Sequence, residues 1–204
     1  MKTLSGNLRR FADSRRGVAA LEFAMIMPVI LLLFLGTFDA GNGIAIYAKV
    51  RAATYALGAI TNQYSDGSAT ALTPPISTST MTTITSATTA ILAPYSSSPA
   101  TVVVSQIKAT SATQATVNWS YSPTAGQALT QNHAFTLPTG FVANSCGTGV
   151  SSSNPCYLIY AQVSYTFTPT FGAFLTGPIS LSDSIYTTPR VSTCVQYNGT
   201  PSSC

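Results

Sequence analysis

The sequence predicts an α+β protein: one long N-terminal helix, a short second helix, and an antiparallel four-stranded sheet that forms a head. Two observations lead there. Residues 18–48 hold an apolar block that passes into a helical pattern, and four later segments alternate at the strand period of two. A chain of 204 residues has room for one modest domain plus an anchor. The expected boundaries are a basic leader at 1–17, a transmembrane and stalk helix at 18–60, a Ser/Thr-rich loop with the second helix at 61–99, and the head at 100–204.

Charge is scarce and unevenly placed. Charged residues make up 7% of the chain, against roughly a quarter in an ordinary soluble protein. Lys2, Arg9, Arg10, Arg15 and Arg16 precede the apolar block, and Lys49 and Arg51 follow it. Beyond Arg51 only Asp66, Lys108, Asp183 and Arg190 are charged, and they cancel. The net charge of +4 is therefore a topology signal. A nucleic-acid partner is not expected, because a basic face on the head is missing.

The anchor starts from Phe23–Phe38, 16 residues without charge. As a helix they rise about 24 Å, slightly less than a bilayer core of roughly 30 Å. Extension to Tyr47 covers the bilayer and takes in Asp39. The denser positive charge before the span puts the N-terminus in the cytoplasm and the rest outside. A cleaved secretory signal fits poorly, since Asp39-Ala40-Gly41-Asn42 follows the apolar run where a small-x-small site belongs. Pro28 removes one backbone hydrogen bond and favours a kink. Asp39 either marks the outer interface or pairs within an assembly.

The leader carries a more specific pattern. Gly17 follows two arginines and precedes Val18-Ala19-Ala20-Leu21-Glu22-Phe23. This resembles a type IV prepilin processing site, where a peptidase cuts after a glycine and the fifth mature residue is glutamate. Val18 would be the first mature residue and Glu22 the fifth. Glu22 either marks the membrane interface or pairs with the new α-amino group of a neighbouring subunit, which would set the stagger of helices in a filament.

The stretch from Gly17 to about Ala59, AALEFAMIMPVILLLFLGTFDAG followed by IYAKVRAATYALGAI, resembles the TadE-like pseudopilins of tight-adherence pilus systems. The resemblance implies a minor pilin or pseudopilin, processed by a prepilin peptidase that removes Gly17 as the last leader residue. It implies partners among other pilin subunits, with Glu22, Phe23, Pro28 and Asp39 at the packing surface. It also implies a single pass through a bacterial inner membrane, with a periplasmic C-terminal domain or an extracellular pilus.

The rest of the chain is read from its own pattern. Ile46, Val50, Ala53 and Leu57 recur at helical steps, so the first helix should continue beyond the membrane; Val18 to Ile60 would run about 65 Å. Asn62–Pro75 is a loop with turn signals at Asp66-Gly67 and Pro74-Pro75. Ser77–Leu92 places Met81, Ile84, Thr88, Ile91 and Leu92 on one face of a second helix, against the poor helix propensity of its threonines; a disordered linker is the rival reading. Strands are expected at 101–109, 115–121, 157–168 and 179–191. Val117, Trp119 and Tyr121 should share one side of the second. Residues 123–155 read as a long loop that covers an edge or presents a surface.

Cys146, Cys156, Cys194 and Cys204 all lie in the exported part, where four cysteines without C-x-x-C spacing read as disulfides. Neighbour pairing, Cys146 with Cys156 and Cys194 with Cys204, is the simplest of three connectivities. No metal site and no cofactor are expected, and His133 is the only histidine. No G-x-S-x-G, H-E-x-x-H or Walker A pattern occurs, so the chain is not expected to be an enzyme. Two functions remain: a pilin-like subunit packing through its N-terminal helix, or a membrane-anchored adhesin that never enters a filament.

Overall fold

The computed structural model describes residues 16–66 and 73–202. Its elements are α1 (Arg16–Thr61), α2 (Thr78–Ala90), β1 (Ala100–Ala109), β2 (Gln114–Tyr121), β3 (Ala134–Thr136), α3 (Phe141–Cys146), β4 (Cys156–Phe167), α4 (Ala173–Thr176) and β5 (Ile179–Thr187). The α+β expectation holds, and α1 runs without interruption through Pro28. The chain divides into two compact units. One joins the helix up to Gly43 with Thr168–Gly177, and the other is the head, Ile44–Phe167 with Pro178–Cys204.

The head sheet has five strands, not four, in the order β3-β2-β1-β4-β5, all antiparallel. The extra strand, β3, comes from the segment expected to be loop. Its three residues are too few to display a period of two. One face of the sheet packs on Ile46, Val50, Ala53 and Leu57 of α1, as their spacing predicts, and on Met81 and Ile84 of α2. Burial of the larger of these side chains, Ala53 excepted, stabilises by about 1.5–3 kcal/mol each.

Two deviations from the predicted pattern shape the sheet. First, β2 carries a bulge: Gln106 pairs with Trp119 and Ile107 with Val117, leaving Asn118 as the extra residue. Val117 consequently joins the opposite core from Trp119 and Tyr121, contrary to the expected single side. Second, that opposite face is covered too. Residues 134–150 fold over it, with Leu137 and Val142 buried against Ile107, Leu158 and Tyr160. The segment 123–155 thus supplies a core layer as well as an edge strand. Coverage on both sides explains why Tyr157 to Ala161 is buried residue after residue.

Helix α2 forms despite its threonines because their hydroxyls bond within the helix. Thr85 Oγ1 donates to the Met81 carbonyl at 3.0 Å and Thr88 Oγ1 to the Ile84 carbonyl at 2.8 Å, so neither buried hydroxyl lacks a partner. Ser77 caps the start by accepting from the Thr80 amide. The helix stops at Ala90, a turn before Pro94.

The Cys146–Cys156 disulfide forms as expected, with the Cα atoms 6.1 Å apart. Cys194 is buried and disulfide-bonded; its expected partner, Cys204, lies outside the described residues, as do Gly67 and leader residues 1–15. The segment after β5 threads back into the core. Val195 donates its amide to Gln106 Oε1 at 2.7 Å and accepts from Trp119 Nε1 at 2.9 Å. The Tyr197 ring packs against Trp119, centroids 5.3 Å apart and tilted by 45°.

Gly58 sets how closely α1 approaches β5. A Cβ there would lie 2.7 Å from Ile185 Cδ1. Gly58→Val should therefore lower the head's unfolding free energy by about 1–3 kcal/mol, the usual range for overpacking, measured by urea denaturation in detergent. Equal stability of variant and parent would show that the Ile185 side chain turns aside to make room.

Tyr160 and Tyr186 pack as a tilted pair, centroids 5.2 Å apart, beside Phe135 and Phe141 in the second core. Burial first, and for Tyr186 the neighbouring Tyr160 as well, pushes both hydroxyls above their ordinary value of 10.0. The fold thus holds the neutral rings. Their contribution is complete below about pH 10, the unfolded value, and is lost as pH rises through the raised folded values. Stability measured across that alkaline window should fall, and Tyr186→Phe should flatten the slope.

Candidate functional site

The N-terminal unit inverts the usual distribution of side chains. Residues 17–34 of α1 are all exposed, among them Val18 at 58% and Phe23 at 61%. The first buried residue of the helix is an acid, Asp39, at 6% exposure. Apolar outside and charge inside is the arrangement a lipid environment selects. The helix is long and apolar enough to cross a membrane, and Val18 to Phe38 rises about 31 Å, matching a bilayer core of roughly 30 Å.

Asp39 is held by backbone amides from its own chain. Its Oδ1 accepts from the Thr170 amide at 3.0 Å, and its Oδ2 from Phe171 at 2.9 Å and Gly172 at 2.8 Å. These donors lie in the β4–β5 connection, where the short helix α4 begins. Three converging N–H groups make a concave nest suited to a carboxylate, and charge-assisted bonds of this kind are the strong ones. Phe38 meets Phe171 edge-on at 5.9 Å beside it. Gly177 ends α4 at φ 65°, a backbone region that favours glycine.

The sequence left two partners open for Asp39, the outer interface or a neighbouring subunit. The structure supplies a third, intramolecular one. The connection Thr168–Gly177 was not anticipated, since strand periodicity says nothing about backbone donors between strands. The available signal was its composition: ten uncharged residues, two of them phenylalanine, in what should be a solvent-facing hairpin loop.

The other sequence-predicted positions are spread along the same helix. Gly17 opens into free space, with nothing within 4 Å of where a Cβ would sit. Glu22, Phe23 and Pro28 are exposed along the apolar stretch. About 26 Å of helix separates Glu22 from Asp39, so Glu22 lies one turn inside the Val18–Phe38 stretch and Asp39 just beyond its end. Among the described residues, no group of His, Cys, Asp and Glu is placed to hold a metal ion.

Residues 17–57 match the family of TadE-like proteins. The matched segment includes the exposed apolar stretch of the helix, Asp39 and the buried positions Ile46, Val50, Ala53 and Leu57. It ends within α1, before the sheet begins. No curated protein and no solved structure matches the chain.

Removing the Asp39 carboxylate leaves three amides without their acceptor. Charge-assisted hydrogen bonds are the strong ones, so Asp39→Ala should speed amide exchange at residues 170–172. Hydrogen–deuterium exchange in detergent checks this. Unchanged exchange would show that the connection is held by other contacts.

Proposed function

We propose that the protein is a minor pilin or pseudopilin of a tight-adherence pilus, which joins or primes a filament by packing its N-terminal helix against those of other subunits. The observation that carries this reading is the TadE-like segment itself, a helix whose apolar surface is exposed over its whole span. A surface of that kind serves first as a membrane anchor and then as a packing face, because both environments are apolar. The reading is structural and involves no catalysis by this chain.

In this scheme a prepilin peptidase cuts between Gly17 and Val18. The absence of a side chain at Gly17 lets the backbone extend into a peptidase cleft. Glu22 then accepts the new α-amino group of a neighbouring subunit, an ion pair that gains strength in apolar surroundings. The N-terminal side is cytoplasmic and the head lies outside the inner membrane, as the basic leader directs.

Expression with the native export machinery, followed by mass spectrometry of the mature N-terminus, tests the scheme. A start at Val18 that disappears in Gly17→Leu is expected, and Glu22→Ala should retain cleavage but lose filament incorporation. An intact leader would remove the filament reading and leave a permanently anchored adhesin. A start beyond Ala40 would mean a secreted domain.

A further inference from the structure

The connection Thr168–Gly177 presents apolar surface where a soluble hairpin would present polar residues. Phe171 is 44% exposed and Phe38, against which it packs, is 52% exposed. Both sit at the end of an apolar helical stretch whose length matches a bilayer core. The connection carries no charged residue. The one charge nearby, Asp39, is buried, and its oxygens accept from Thr170, Phe171 and Gly172.

We infer that Thr168–Gly177 is a second membrane contact: a foot that lies in the outer interfacial layer of the same bilayer the helix crosses, with Phe171 as its lipid-facing side chain. Three features converge on lipid as the occupant. The foot's exposed ring continues the apolar surface of the spanning helix without a break at Phe38. Phenylalanine is among the side chains that interfacial segments bury at the boundary between headgroups and acyl chains. The amides of residues 170–172, which would be costly to expose to hydrocarbon, are satisfied by Asp39, and the Asp39 charge is satisfied by them. The clamp thus solves two desolvation problems together and leaves no unsatisfied charge or amide of this set to face lipid. The inference rests on the reading of α1 as a membrane anchor and not on filament assembly.

The test uses the full chain reconstituted in vesicles of phosphatidylcholine and phosphatidylglycerol carrying brominated acyl chains. Fluorescence quenching is measured as the difference from the parent, whose one tryptophan is Trp119. Phe171→Trp should lose most of its added fluorescence when bromine lies high on the acyl chain, near the headgroups, and little when it lies at the bilayer centre. Leu32→Trp, in the middle of the span, should show the reverse. Quenching of Leu32→Trp without quenching of Phe171→Trp would overturn the foot and keep the anchor. Quenching of neither would overturn both. Deep quenching of Phe171→Trp at the bilayer centre would overturn the interfacial placement.

Discussion

The carboxylate of Asp39 has to be satisfied wherever the N-terminal helix is placed, and the three amides that bond to it shape everything around them. An ionised group on an apolar helix has few acceptable partners: water, a counter-ion, or fixed dipoles. This chain uses dipoles from its own backbone, 131 to 133 residues further on. That choice frees the surrounding side chains from any polar duty. Phe38 and Phe171 can then present rings outward, and the connection between β4 and β5 can be as apolar as the helix beside it.

The head follows a different logic, in which one inserted residue governs the layout. Asn118 shifts the register of β2 by one position, so that Trp119 faces α1 and Val117 faces the segment after β3. An antiparallel sheet with one covered face needs only alternation. This one is covered on both, and its central strands β1 and β4 are accordingly almost continuously buried. The Cys146–Cys156 disulfide fastens the second cover to the start of β4, a closure of the kind that typically stabilises by about 2–4 kcal/mol.

What was legible in the sequence had periodicity or composition behind it. Ile46, Val50, Ala53 and Leu57 fall three and four residues apart and are all buried. The long alternation from Tyr157 names β4 to within a residue at each end, and the nearest-neighbour cysteine pairing proved right for Cys146 and Cys156. The misses have physical causes. A three-residue strand has no measurable period, and the bulge is invisible because Val117, Trp119 and Tyr121 alternate equally well on either assignment. The Asp39 clamp uses backbone donors, which every non-proline residue possesses, so no residue type at positions 170–172 could announce it. Within the candidate site, the sequence therefore located the acid, and only the fold revealed what holds it.

The threading of Val195 and Tyr197 into the first core also bears on how the molecule comes to be folded. Trp119, Gln106 and Ile76 all complete their contacts on residues 195–198, far along the chain from each of them. Contacts so distant in sequence close late, since loop entropy must be overcome before they form. Until that segment is available the sheet lacks part of one covering layer, and its apolar face stays open. The first core of the head is thus closed only when residues 195–198, beyond its last strand, have returned to it.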